Sequence, residues 1–184
     1  MRGFIVGVIL TLLIIGVAGF LVIKKGYVSF AADQEPTLVE RKLAMSAMDA
    51  STDRHAPDVK NPIAASEENL VAGAKLFVDH CAGCHGVPSN ADSQFGRSFY
   101  PVVPPFFKDA PDMPENQNFY IIQHGVRWTG MPAWNKTLSE AQMWQIVTFL
   151  SNIEKLPPAA MKEFQPVGSV PPPVPSPSQM PMNP

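Results

Sequence analysis

The sequence predicts an all-α protein in three parts: a membrane-spanning helix, a small helical domain and a proline-rich tail. Three observations carry this. The 20 residues from Phe4 to Ile23 contain no charge. Two later stretches, opening at Ser66 and at Ser139, join helix-capping residues to apolar side chains at helical spacing. Between them sit the chain's 2 cysteines, in Cys81-Ala82-Gly83-Cys84-His85, followed by a long loop rich in proline and glycine.

With 184 residues, 46% hydrophobic content and a formal net charge of -2, the chain has room for one modest globular domain plus appended segments. Its near-neutral charge argues against polyanion binding, so no nucleic-acid partner is expected. Half of the 20 prolines lie from Pro157 onward, so the composition averages unlike segments. The division read from these shifts is an anchor over 1–26, a spacer over 27–65, a helical domain over 66–157 and a tail over 158–184.

A helix over Phe4 to Ile23 rises 1.5 Å per residue and matches a hydrocarbon core of about 30 Å. A cleaved secretory signal is the competing reading, but its apolar region is shorter. Here Lys24 and Lys25 follow at once, and Ser29-Phe30-Ala31 is a late, middling cleavage site, so an uncleaved anchor is expected. Charge does not orient it, because Arg2 and the amino terminus face Lys24 and Lys25 across the helix.

In the spacer, Thr37 to Ala50 reads as a helix in which Leu38, Leu43, Met45 and Met48 are loosely spaced among charges. Both methionines are assigned to ordinary packing. Arg54 to Pro62 reads as linker, and the whole segment as a stalk.

Ser66 is a good N-cap, with Glu67 and Glu68 in the first turn where the helix dipole favours acids. Leu70, Ala74, Phe77 and Val78 then form an apolar stripe, and Gly73 beside it suggests close crossing by another helix. The partner starts at the Ser139 capping box and runs to about Ile153, with Met143, Trp144, Ile146, Val147, Leu150 and Ile153 on one broad face. Pro157-Pro158 stops it.

The motif between these helices reads as c-type haem attachment. On one helical turn, Cys81 and Cys84 share a face and reach the two vinyl groups along one haem edge, while His85 points at the iron. Ala82 and Gly83 let the backbone approach the porphyrin. A structural zinc site fails for want of further ligands, and a thioredoxin-like motif for want of a βαβ setting. A disulfide three residues apart is rarer still.

The run from Gly86 to Pro114 is too long for a structureless loop in an ordinary small domain. It makes sense if Phe95, Phe99, Tyr100, Phe106 and Phe107 pack on a flat cofactor that replaces part of the core. A short helix, Glu115 to His124, follows with Phe119 and Ile122 inward. Met131 then sits between Gly130 and Pro132, in an extended segment where the residue before proline is pushed away from helix. Its thioether is the candidate sixth ligand opposite His85. Met113 is the next candidate, and Met143 is assigned to the core. His80, beside Cys81, cannot reach the far face, and His124 is explained by the helix dipole.

Together, the helix Glu67 to His80 with Gly73 and Phe77, the Cys81 to His85 motif, the segment Gly125 to Trp134 and the helix from Ser139 resemble a class I c-type cytochrome over about half the chain. The resemblance implies a class I cytochrome c fold with crossed terminal helices and one haem c, covalent through Cys81 and Cys84 and held by His85 and Met131. It also implies a proline carbonyl that accepts the His85 N–H. Pro101, Pro104 and Pro105 are candidates, and Pro105 is preferred.

With both axial positions filled, the expected role is one-electron transfer rather than catalysis. Haem attachment outside the cytoplasm puts the domain on the periplasmic side of a bacterial cytoplasmic membrane. A place between a quinol-oxidising complex and a terminal oxidase is expected, as a shuttle or as a fixed subunit among other redox proteins. The alternatives are a redox subunit of a periplasmic dehydrogenase and, from another class, a haem enzyme or gas sensor with a labile distal ligand. From Asn61 to Leu156 there are six basic and nine acidic residues, which disfavours docking by a strong basic ring. The tail from Pro157 reads as extended polyproline II or disordered, unable to bury a core.

Overall fold

The computed structural model describes residues 1–91 and 93–165, and the chain separates into two compact units, Met1–Ala32 and the remainder from Asp33. In the first unit, α1 (Arg2–Lys24) is long and apolar enough to cross a membrane, with a mean hydropathy of 2.9 and no buried residue. A helix of that length and composition could span a bilayer. The Thr11 hydroxyl donates to the Gly7 carbonyl at 2.9 Å, satisfying itself within the helix as an apolar medium requires.

The second unit is all-helical, with no strand among the described residues. It comprises α2 (Leu38–His55), α3 (Glu67–His80), a single turn α4 (Ala82–His85), a 3-10 turn at Gly96–Ser98, α5 (Glu115–His124), α6 (Glu140–Ser151), a 3-10 turn at Ile153–Lys155 and α7 (Pro158–Glu163). The Ser66 hydroxyl accepts from Asn69 N–H, and Ser139 forms a capping box with Gln142. Both are the start signals read from sequence.

Helices α3 and α6 cross at Gly73. A Cβ there would lie 2.3 Å from the Gln145 carbonyl oxygen and 2.7 Å from Phe149 Cβ, so only glycine admits this approach. Leu70, Ala74 and Phe77 of α3 are buried against Met143, Ile146, Val147, Phe149 and Leu150 of α6. At the other edge of α6, Phe119 of α5 stacks on Trp144 at 4.0 Å.

The tail departs from expectation at its start. Pro158 stands in the first turn of α7, where a missing N–H costs nothing, and the helix carries Ala160 and Phe164, both 0% exposed, into the core. Phe164 packs edge-on against Phe77 at 5.4 Å and Phe149 at 5.0 Å. This stretch therefore does bury core, and the polyproline reading of 166–184 lies outside the described residues.

The spacer differs too. The Thr37–Glu40 capping box starts α2, which runs on to His55, through the start of the expected linker. Leu38, Leu43 and Met45 stay exposed. Polar contacts hold this segment: Gln117 Nε2 donates to Asp53 at 2.6 Å, Asn116 Nδ2 to the Pro57 carbonyl at 2.9 Å, and the Tyr100 hydroxyl to Glu40. Asn61 Nδ2 then donates to Thr148 Oγ1 of α6 at 2.9 Å. Much of the expected stalk is held against the helical domain.

Candidate functional site

The Cys81–His85 segment begins where α3 ends. Cys81 N–H still donates to the Phe77 carbonyl at 2.8 Å, and the Cys81 carbonyl accepts from Cys84 N–H at 3.1 Å and His85 N–H at 2.9 Å. The motif is thus one helical turn carried rigidly on α3. Gly86, at φ 78°, ends that turn where a Cβ would strike the Asn90 carbonyl at 2.7 Å. Both cysteines are free thiols. Burial, with the neighbouring Cys84 charge, pushes the Cys81 thiol up to about 12, and burial raises Cys84 as well, so both stay protonated at neutral pH.

His85 has a defined tautomer. Its Nδ1 lies 2.9 Å from the Pro104 carbonyl, which can only accept, so Nδ1 carries the proton and the Nε2 lone pair is left for another partner. The ring stacks on Phe106 at 4.3 Å and 9°. Burial lowers the imidazole's pKa against the opposing effect of the Pro104 bond, which keeps it neutral as a ligand must be.

The acceptor is therefore Pro104 and not Pro105. The Pro105 carbonyl is committed to a turn, accepting from Lys108 N–H at 2.9 Å and Asp109 N–H at 3.1 Å.

The loop after the motif is fastened to it by Ser93, a buried residue without a sequence signal. Its hydroxyl donates to the Gly83 carbonyl at 2.6 Å and accepts from Gly96 N–H at 3.1 Å. Gly96 presses so closely on the Cys84 carbonyl that a Cβ would sit 2.1 Å from it. Gly83 itself meets no chain atom within 4 Å of a built Cβ, so no protein contact demands a glycine there.

Met131 is half-buried and packs, like Cys81, against the common core. Its carbonyl accepts from Val126 N–H at 3.1 Å, and its own N–H donates to Thr129 Oγ1 at 3.1 Å. Gly125, at φ 67°, lets the chain turn back onto that carbonyl, which a Cβ would approach to 2.6 Å. Trp134 N–H bonds the Ile122 carbonyl at 3.1 Å, tying the far end of the segment to α5. The loop after the cysteines and the Met131 segment meet where the Phe99 ring lies on Gly130, 2.3 Å from a built Cβ.

The expected loop aromatics therefore have protein partners of their own. Phe106 braces His85, Phe99 covers Gly130, Phe95 packs edge-on against Phe99 at 4.9 Å, and Phe107 reaches Phe164 at 6.1 Å. Met143 is 2% exposed in the core, Met113 is half-buried with its carbonyl accepting from Asn118, and His80 and His124 are exposed beside Trp134 and Tyr120.

This donor set fits a c-type haem. Two thiols and an imidazole with one free nitrogen share a single braced turn, and glycines hold the surrounding backbone close. Residues 68–150 match the family described as cytochrome C oxidase, cbb3-type, subunit III. No curated protein matches the chain.

Proposed function

We propose that this chain, whose residues 68–150 match the cbb3-type cytochrome family, is a one-electron carrier holding a single haem c. The observation that carries this reading is the His85–Pro104 bond, which fixes the ring and its tautomer with Nε2 available. When bound, haem c supplies a one-electron couple at its iron.

Cys81 and Cys84 would hold the group by thioether bonds, and His85 and Met131 would supply the nitrogen and sulfur for its iron. A thioether opposite imidazole favours the reduced iron and raises the potential. Phe106 and Pro104 keep the imidazole from turning, so its Nε2 would stay available to the iron in either oxidation state. The arrangement suits transfer rather than substrate chemistry.

We place the domain on the outer face of a cytoplasmic membrane, anchored by α1, passing electrons between a quinol-oxidising complex and a terminal oxidase. The family description, which names an oxidase subunit, supports the oxidase end of that assignment. The test is the spectrum of the full chain purified in mild detergent. Ferric protein is expected to show the weak near-infrared band of sulfur-ligated haem, lost in Met131→Ala. A high-spin, ligand-binding iron in the native protein overturns the reading. Cys81→Ser with Cys84→Ser is expected to leave no haem covalently attached, and subunits co-purifying with the native chain identify its partners.

A further inference from the structure

Trp128 stands apart from the rest of the domain. It is 90% exposed and, among the described residues, the one non-glycine with positive φ, at 62°. It sits in a tight turn closed by Thr129, whose N–H and hydroxyl both donate to the Val126 carbonyl, at 3.3 and 2.8 Å. Glycine or asparagine would make that turn at less strain and without putting an indole in water. The ring's described partner is the Arg127 guanidinium, 5.9 Å from its centroid. Folding does not explain this tryptophan.

Its surroundings give it a direction. Gly130, two residues on, lies under the Phe99 ring, and Phe95, 61% exposed, packs on Phe99. The neighbour of Phe95 is Gly96, which presses on the Cys84 carbonyl. Two exposed rings, Phe95 and Trp128, thus flank the Phe99–Gly130 contact, one from each loop.

Charge is distributed to match. Between Asn61 and Leu156 acids outnumber bases nine to six, yet the two arginines of that stretch, Arg97 and Arg127, are both exposed and lie within two residues of Phe95 and Trp128. Arginine and tryptophan are the side chains most enriched where binding energy concentrates.

We propose that Trp128, with Phe95 and Arg127, is the docking surface for a redox protein whose own face carries an apolar spot edged by carboxylates. The rings are buried in the encounter and the arginines select its orientation. This rests on the electron-carrier reading, and it gives that carrier a specific point of electron exchange beside Met131.

The test replaces the native chain in its host with full-length variants and follows haem reoxidation when oxygen is admitted to reduced, isolated membranes. Trp128→Gly, which also relieves the backbone and so does not fail by misfolding, is expected to slow reoxidation by about tenfold, the loss of one strong interface anchor. Trp128→Phe keeps most of the rate. Oxidation of both variants by ferricyanide, which needs no docking, stays at the native rate. Arg127→Gln slows reoxidation at low salt and flattens its dependence on ionic strength. A native rate in Trp128→Gly, with an unchanged low-spin spectrum, overturns the docking surface and leaves the carrier reading intact. So does an equal loss on deleting residues 166–184 with no further loss in combination, which would make the chain's own tail the occupant. A native haem that the membranes do not reoxidise overturns the carrier reading itself, and the docking surface with it.

Discussion

Gly73→Ala tests the architecture at its tightest point. The added methyl would meet the Gln145 carbonyl oxygen at 2.3 Å and Phe149 Cβ at 2.7 Å, where ordinary contact begins near 3.4 Å. The nearest obstacle is backbone of α6, which cannot rotate aside as a side-chain end would, so α3 and α6 must part by about 1 Å. Overpacking of this kind costs about 1–3 kcal/mol, and the upper end applies where backbone meets backbone. Alanine's better helix propensity returns about 1 kcal/mol. The expected net loss is about 2 kcal/mol, read from urea unfolding of the full-length haem protein in detergent by haem absorbance. Because α3 ends in Cys81, a shift in the haem spectrum is expected at the same time. A variant as stable as the native protein, or more stable by the propensity gain alone, refutes the claim that this crossing is closed to a Cβ.

Phe164→Ala should be worse, at about 3–5 kcal/mol, because a ring with no exposure and two aromatic neighbours leaves a cavity they cannot fill. The same urea titration reads it, and a loss under 1 kcal/mol would mean α7 does not close the core. Ser139→Ala removes the cap of α6 and should cost about 1 kcal/mol without altering the spectrum. Tyr100 is held protonated chiefly by its bond to Glu40, so its phenol is raised and the bond's contribution is complete below the ordinary value of about 10 and lost as pH climbs through the raised one. Ultraviolet titration should find this tyrosine ionising late, and Glu40→Gln should return it towards the ordinary range.

What the sequence disclosed was whatever repeats with a period or stands at a fixed offset. Ser66, Ser139, the apolar stripes and Gly73 together specify two helices and their crossing, because each acts over one or two turns. Phe119 and Ile122 were legible for the same reason. The packing of α2 was not, since single polar bonds such as Gln117 to Asp53 and Tyr100 to Glu40 leave no pattern along the chain. Phe164 was hidden by the surrounding prolines, although Pro158 followed by Ala159, Ala160 and Met161 is itself a helix start. The choice between Pro104 and Pro105 turns on which way one carbonyl faces, and that is settled by the turn at Lys108.

Phe164 has a practical corollary for the carboxy terminus. It is the last core side chain among the described residues, and exposed Gln165 follows it directly. A protease that trims after Gln165 leaves every described core residue in the chain, whereas a cut after Glu163, two residues earlier, removes Phe164. A pull applied at Gln165 would likewise load Phe164 at once, and through it Phe77, one helical turn before Cys81. Helix α7 is thereby mechanically coupled to the turn that carries the thiols.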